Sequence, residues 1–211
     1  MGCGLGGRME VLNPGLVEDI ENGRKLYLEL GGGLHKREGY YNIDACRVPG
    51  VDVVADLNQP LLLIPDNSVV SVISNHVLEH IPALEPLLRE LHRITCPSGV
   101  IETVVPHFAN PYFYSDPTHV RAFGLYTMCY FIEFARQPFR RKVPSFYTTA
   151  RFELLDVRLE FFRHSRLDRI VGGALERTFN RSRGAQEFYE RRLSWVVSAR
   201  QIRWRMTPVK S

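Results

Sequence analysis

The chain has 211 residues, 45% hydrophobic and 24% charged, with a net charge of +4, a make-up that excludes a disordered or low-complexity protein and suits one α/β domain. No stretch approaches eighteen uninterrupted apolar residues and the N-terminus lacks a basic-then-apolar pattern, so neither a membrane span nor a secretory signal is expected and a cytoplasmic location is. The charge is uneven: residues 1–135 hold 9 Lys and Arg against 16 Asp and Glu, whereas 136–211 hold 18 against 7. The arginine-rich part reads first as a solvated face, then as a surface for an anionic acceptor, with peripheral membrane contact left open. Cys3, Cys46, Cys96 and Cys129 make no C-x-x-C pair, which points to reduced, buried thiols and no zinc knuckle.

In chain order, residues 1–13 are glycine-rich and expected to be a loose tail. The Met1-Gly2-Cys3 opening is followed by Gly6 where a myristoylation signal wants Ser or Thr, so a lipid anchor is not expected. Pro14 to Gly23 predicts a short helix with Asn13 as its cap. Leu26–Leu30, Tyr40–Asp44 and Val51–Asp56 predict three strands. The stretch between the first two is too short for a crossover helix, so that helix is expected to be reduced to a turn. Asn58 to Asn67 is a loop, and the β-branched run Val69–Ser74 predicts a strand buried on both faces. A helix in two pieces follows, Val77–Ile81 and Leu84–Ile94, split by Pro82, and then a turn at Pro97-Ser98-Gly99 and a strand Val100–Val105. Pro106 to Arg121 is a long aromatic loop with two histidines, and loops of that length are usually functional. Beyond it, Gly124–Phe134 predicts an aromatic helix with Tyr130, Phe131 and Phe134 in the core. Arg151–Phe162 and Arg200–Pro208 predict strands, with basic helices at Leu167–Asn180 and Ala185–Leu193 between them.

The centre of this pattern is Lys25 to Asp56. An apolar strand runs into Gly31, Gly32 and Gly33, which let the main chain approach a ligand that a Cβ would keep away. Two further strands close on Asp44 and Asp56, acids placed to accept from ribose hydroxyls or a base amine. Together with SNHVLEHI, Ser74 to Ile81, these stretches make residues 25 to about 135 resemble the class I S-adenosylmethionine-dependent methyltransferases, more narrowly those serving glycan or other small-molecule biosynthesis. Glu29-Leu30-Gly31-Gly32-Gly33 looks like the family's E-x-G-x-G loop, with His35 where a third glycine is usual. The resemblance implies a Rossmann-like, mostly parallel sheet with helices on both faces, a reduced first crossover and a basic C-terminal extension, in a single domain spanning 1–211: 25–135 as cofactor-binding core, 136–211 completing the sheet and the substrate side. It implies S-adenosyl-L-methionine as cofactor. Gly31 to Gly33 would pack on its methionyl part with Glu29 ordering the loop. Asp44 would take the ribose, Asp56 and Leu57 the adenine, and Asn75 and His76 would pass beneath the sulfonium.

Methyl transfer needs a nucleophile in line and, for a hydroxyl or amine acceptor, a base. His107 and His119 in the long loop are the first candidates, then His80 and Asp116. The expected reaction is transfer to an oxygen of a sugar or other small metabolite. A cofactor-binding pseudoenzyme or partner subunit would carry the same motifs. His76-Val77-Leu78-Glu79-His80 also matches H-x-x-E-H of zinc proteases, but no downstream helix offers a third acidic ligand, and no metal is expected. The spacing G-x-G-x-x-G of dinucleotide folds fails at Lys36. Asn110-Pro111-Tyr112-Phe113 lacks a proline of the N-P-P-Y motif of nucleic-acid amino-methyltransferases. No nucleic-acid reader motif is present, so nucleic acid is not the expected partner. Oligomeric state is not readable from the chain.

Overall fold

The computed structural model describes residues 9–210, so the Met1-Gly2-Cys3 opening lies outside the described residues. One sheet holds eight strands: β1 Glu10–Val11, β2 Leu26–Leu30, β3 Tyr41–Asp44, β4 Val53–Val54, β5 Val69–Asn75, β6 Thr95–Pro106, β7 Phe152–Phe161 and β8 Ala199–Pro208. The α-helices are α1 Gly15–Glu21, α2 Leu84–Ile94, α3 Arg166–Phe179 and α4 Arg183–Arg192. The spatial order is β1-β4-β3-β2-β5-β6-β8-β7. Strands β2 to β6 pair in parallel, while β1, β7 and β8 join antiparallel. From β2 the chain moves outward to β3 and β4, then crosses back to β5 and β6 on the other side. The strand order therefore reverses beside β2, which is where open α/β sheets bind ligands, outside the carboxyl ends of their strands.

Local sequence explains most of this. Leu26, Leu28 and Leu30 of β2 are buried, and so are Leu84, Leu87, Leu88, Leu91 and Ile94, the helically spaced face of α2. Each such side chain contributes about 1.5–3 kcal/mol on burial. Residues 31–40 contain turns and no helix, so the shortened first crossover is as the sequence predicts. Residues 77–81 make a single 3-10 turn, Leu78–His80, because Pro82 drives Ile81 to an extended ψ of 105°. The N-terminus of α2 has no cap of its own; the Ala83 N–H donates to Asn58 Oδ1 at 3.1 Å.

Four expectations change. Glu10 and Val11, expected to be loose, pair with Val54 and Val53 at the sheet edge. The third strand is two residues long. Pro97-Ser98-Gly99 does not precede β6 but bulges inside it, the register stepping from Val69 opposite Thr95 to Ser71 opposite Val100. Gly124–Phe134 is not an α-helix but 3-10 turns at Thr127–Phe131 and Phe134–Arg136. Leu125, Met128, Cys129, Phe131 and Ile132 are buried, and the buried Gln137 amide supplies hydrogen bonds a helix would have made, donating to Cys129 O at 3.0 Å and Val143 O at 2.8 Å. Of its three expected core aromatics, Phe131 is buried, whereas Tyr130 and Phe134 are exposed.

The outer strand β7 would present unpaired backbone groups to solvent. Side chains from α3, α4 and the residues joining them cover that edge. Asn180 bonds both the N–H and the carbonyl of Leu159 at 2.8 Å, Gln186 Nε2 donates to Val157 O at 2.8 Å, and the Phe161 N–H donates to Glu176 Oε1 at 3.1 Å.

Candidate active site

Because β2 to β5 are parallel, their carboxyl ends carry Gly31, Asp44, Asp56 and His76 to one edge of the sheet. There they line a cavity of about 340 Å³ with Ala45, Leu57, Asn58, Val77, His80 and Ile81, a size within the range of small-molecule sites.

The loop after β2 is fixed from below. Gly31 has φ +65°, and a Cβ there would lie 2.3 Å from Val77 Cγ2, so the strand end is pressed against the segment leaving β5. A Cβ on Gly32 would meet Asn42 Oδ1 at 2.8 Å and Glu29 at 2.9 Å. The buried Glu29 carboxylate accepts from the Arg37 N–H at 2.6 Å, which ties the strand end to the loop. Asn42 does as much: its Oδ1 accepts from the Gly32 N–H at 3.0 Å, and its Nδ2 donates to Gly33 O at 3.1 Å and Gly50 O at 3.2 Å. Asp52 accepts from the Asn42 N–H and from Lys36 Nζ. Neither Asn42 nor Asp52 is a residue the sequence reading selects. The signal was a polar Asn inside an apolar strand, since Asn42 is completely buried.

Asp44 Oδ2 accepts from the Gly33 N–H at 3.1 Å and Oδ1 from the Cys46 N–H at 2.9 Å. Asp56 Oδ1 accepts from the Asn58 N–H and Nδ2, both at 2.9 Å. Each carboxylate is thereby oriented yet keeps lone pairs for a ligand. Leu57, Val77 and Ile81 give apolar walls, and the glycine at 31 leaves room that a side chain would fill. The cavity thus sets carboxylate acceptors beside apolar walls. Glu29, Gly32, Gly33 and Asn75 stand outside the lining, the first two as supports of the loop.

At the opposite wall is a cluster of titratable groups. Glu79 is 0% exposed, and neither carboxylate oxygen receives a well-formed hydrogen bond. Its Oε1 lies 3.3 Å from His76 Nδ1 and 3.9 Å from His119 Nε2. The His80 and His119 rings are 4.8 Å apart. His76 holds an uncommon φ of +55° and its Nε2 sits 3.0 Å from Gln201 Oε1. The Gln201 amide nitrogen is committed to Glu160, so His76 donates through Nε2 and turns Nδ1 on Glu79. That contact with Glu79 raises the His76 pKa against partial burial. Asp116 is held below the usual carboxylate range by the hydroxyl and then the N–H of Thr118.

Of the three histidines expected to act as base, His80 lines the cavity and His119 packs on it. His107 does not belong there. It is 0% exposed, its Nδ1 accepts from the Ala109 N–H at 3.1 Å and its Nε2 faces Glu190 at 3.3 Å. The ring braces the start of the long loop and is not among the residues lining the cavity. The arginines from Arg163 to Arg192 are also absent from the lining; Arg163 is tied to Glu176 and Arg183 approaches Asp156. A second, more apolar cavity of about 590 Å³ begins at Pro82, next to Ile81, with Phe108, Arg121, Tyr126, Tyr130 and Tyr147 among its walls. No helix is long and apolar enough to cross a membrane among the described residues.

Comparison with known proteins gives the same direction. Residues 37–102 match the family model described as a methyltransferase domain. That span holds Asp44, Asp56 and SNHVLEHI, two of the three stretches behind the resemblance seen in the sequence, and leaves out the glycine loop. No curated protein matches the chain in sequence. Solved structures of similar shape include a SAM-dependent methyltransferase from Archaeoglobus fulgidus, 20% identical, covering 92% of this chain and 91% of that one with a TM-score of 0.49. Another is phosphoethanolamine N-methyltransferase 2 of Haemonchus contortus in complex with S-adenosyl-L-methionine, 14% identical, covering 89% of this chain and 49% of that one with a TM-score of 0.48. At these scores the likeness is one of general shape alone.

Proposed function

We propose that this chain, whose residues 37–102 match a methyltransferase domain, transfers a methyl group from S-adenosyl-L-methionine to a small-molecule acceptor, an oxygen of a sugar or other metabolite. The observation that carries the reading is the cavity at the reversal of strand order, where Gly31 presses on Val77 and Asp44 and Asp56 stand on one wall. When bound, the cofactor supplies an electrophilic methyl: the acceptor oxygen forms the new carbon–oxygen bond as the carbon–sulfur bond breaks, its electron pair stays on sulfur as a neutral thioether, and the acceptor proton is lost to a base or water.

The chain's own part is placement and proton handling. Asp44 accepts from the ribose diol, Asp56 from the adenine amine, with the Leu57 backbone along the base edge. His76 closes the cavity floor beside the end of β5. The acceptor reaches the methyl from the side of His80 and the aromatic cavity that begins at Pro82. Desolvation there favours alignment over any strong activation.

Calorimetric titration with S-adenosylhomocysteine tests this. Wild-type protein is expected to bind one equivalent, and Asp44→Ala to bind about 1–3 kcal/mol more weakly through lost hydrogen bonds to the ribose. No heat from the folded wild type at high micromolar ligand removes the cofactor from the reading. Unchanged affinity in Asp44→Ala returns that acid to a turn-forming role.

A further inference from the structure

The Glu79 cluster is more than methyl transfer by placement requires. Glu79 has no solvent exposure and no well-formed hydrogen bond; besides His76 Nδ1 at 3.3 Å, two further imidazoles face it, more cation-binding groups than one buried carboxylate needs. One oxygen of Glu79 and one ring nitrogen each of His80 and His119 lie within 4.8 Å of one another. The hydrogen bonds around them decide which nitrogens are free. His119 Nδ1 is 2.8 Å from the Phe113 carbonyl, which can only accept, so Nδ1 donates there and Nε2 is the ring nitrogen turned toward Glu79. Thr118 Oγ1 gives its hydrogen to Asp116 at 2.5 Å, so His80 Nδ1, 2.9 Å away, must donate to it. That leaves Nε2 as the His80 nitrogen available to an ion. A metal ion placed between the three groups would be bound by all of them. Histidine ligands whose second nitrogen donates to a carbonyl or hydroxyl are the usual outer shell of such sites.

We propose that Glu79, His80 and His119 form a binding site for a divalent transition-metal ion of the zinc type, three protein ligands with an open coordination position on the cavity side. Hard ions such as magnesium and calcium prefer oxygen-rich shells, whereas two imidazoles and one carboxylate match catalytic zinc and related ions. The sequence offered H-x-x-E-H and, for want of a third ligand on a downstream helix, set it aside. The structure uses its Glu79 and His80 and brings the third ligand from the long loop instead, which the Glu79 carbonyl holds through the Val120 N–H at 2.9 Å. Since His80 lines the cofactor cavity, the ion would take an acceptor bearing an oxygen or nitrogen donor next to the methylated oxygen. That role rests on the methyltransferase reading; the ion site does not.

The test titrates chelator-stripped full chain with cobalt(II), followed by its visible absorption, and then displaces the cobalt with zinc. One equivalent is expected, with magnesium failing to compete. Glu79→Gln and His119→Gln are expected to weaken binding at least about ten-fold, while His35→Gln and His164→Gln, on exposed histidines elsewhere, leave it unchanged. His80→Gln, on a partly exposed ring, serves should the Glu79 variant fail to fold. Absence of saturable binding, or wild-type affinity in the cluster variants, overturns the site. S-adenosylhomocysteine is titrated into stripped and zinc-loaded protein in parallel. Nucleoside binding without metal binding sinks the ion site alone, and the converse sinks the methyl-donor reading alone.

Discussion

Gly31 and Gly33 have similar positive φ values, +65° and +52°, but different surroundings. At Gly33 a Cβ would meet nothing within 4 Å, whereas at Gly31 it would collide with Val77. Alanine at Gly33 should therefore cost about 1–2 kcal/mol, the left-handed backbone penalty alone. Gly31→Ala should cost more in denaturant titration and also lose nucleoside affinity, because Val77 forms the cavity wall. Equal losses at the two positions would mean that the contact with Val77 does not matter. Both glycines, Glu29, Asp44 and Asp56 could be picked from the sequence because each sits at the end of an apolar run, where chemistry and periodicity coincide. Glu79 could not. Its importance comes from burial without a hydrogen-bond partner and from His119, which a loop brings across from the far side of α2 and β6.

For the elements, apolar spacing was a good guide wherever one face is buried and the other wet, as in α2. It failed at Gly124–Phe134, where the Gln137 side chain bonds the Cys129 and Ile132 carbonyls and favours irregular backbone. It failed again at Glu10–Val11, since two residues carry no period. Edge coverage of β7 was equally invisible, because it depends on which polar side chains of the following helical segment meet the strand. Asn180 serves both the N–H and the carbonyl of Leu159. Asn180→Ala should destabilise the protein by about 1–3 kcal/mol, the cost of stranding those two groups, and make it aggregate more readily as the edge opens. Thermal unfolding with light scattering would show both; an unchanged midpoint would mean that water replaces Asn180 without cost.

Across the whole molecule, one sheet joins the acidic and the basic parts of the sequence through the pairing of β6 with β8. Cys129, 1% exposed, lies in the shared core, and its burial pushes the thiol up to about 12. It should stay unmodified by alkylating reagents in the native protein, and raising the pH from 7 to 9 should not change that, since the thiolate forms only near the raised value. Mass spectrometry across a urea series should show Cys129 reacting in step with global unfolding. Reaction ahead of the main transition would show that this region opens by itself.

The position of β8 has a consequence for how the chain is made. It follows every other strand in sequence yet lies inside the sheet, between β6 and β7, so its place must be held open until it is synthesised. As the chain leaves the ribosome, β2 to β6 can assemble in order, while β7 emerges before β8, the strand it pairs with. Residues 152–198 must wait as an unpaired hairpin arm and two helices until Ala199–Pro208 slides into place. The slow, sequence-distant event in folding is thus the insertion of a final strand, and the newly made protein exposes the flank of β6 to chaperones until then.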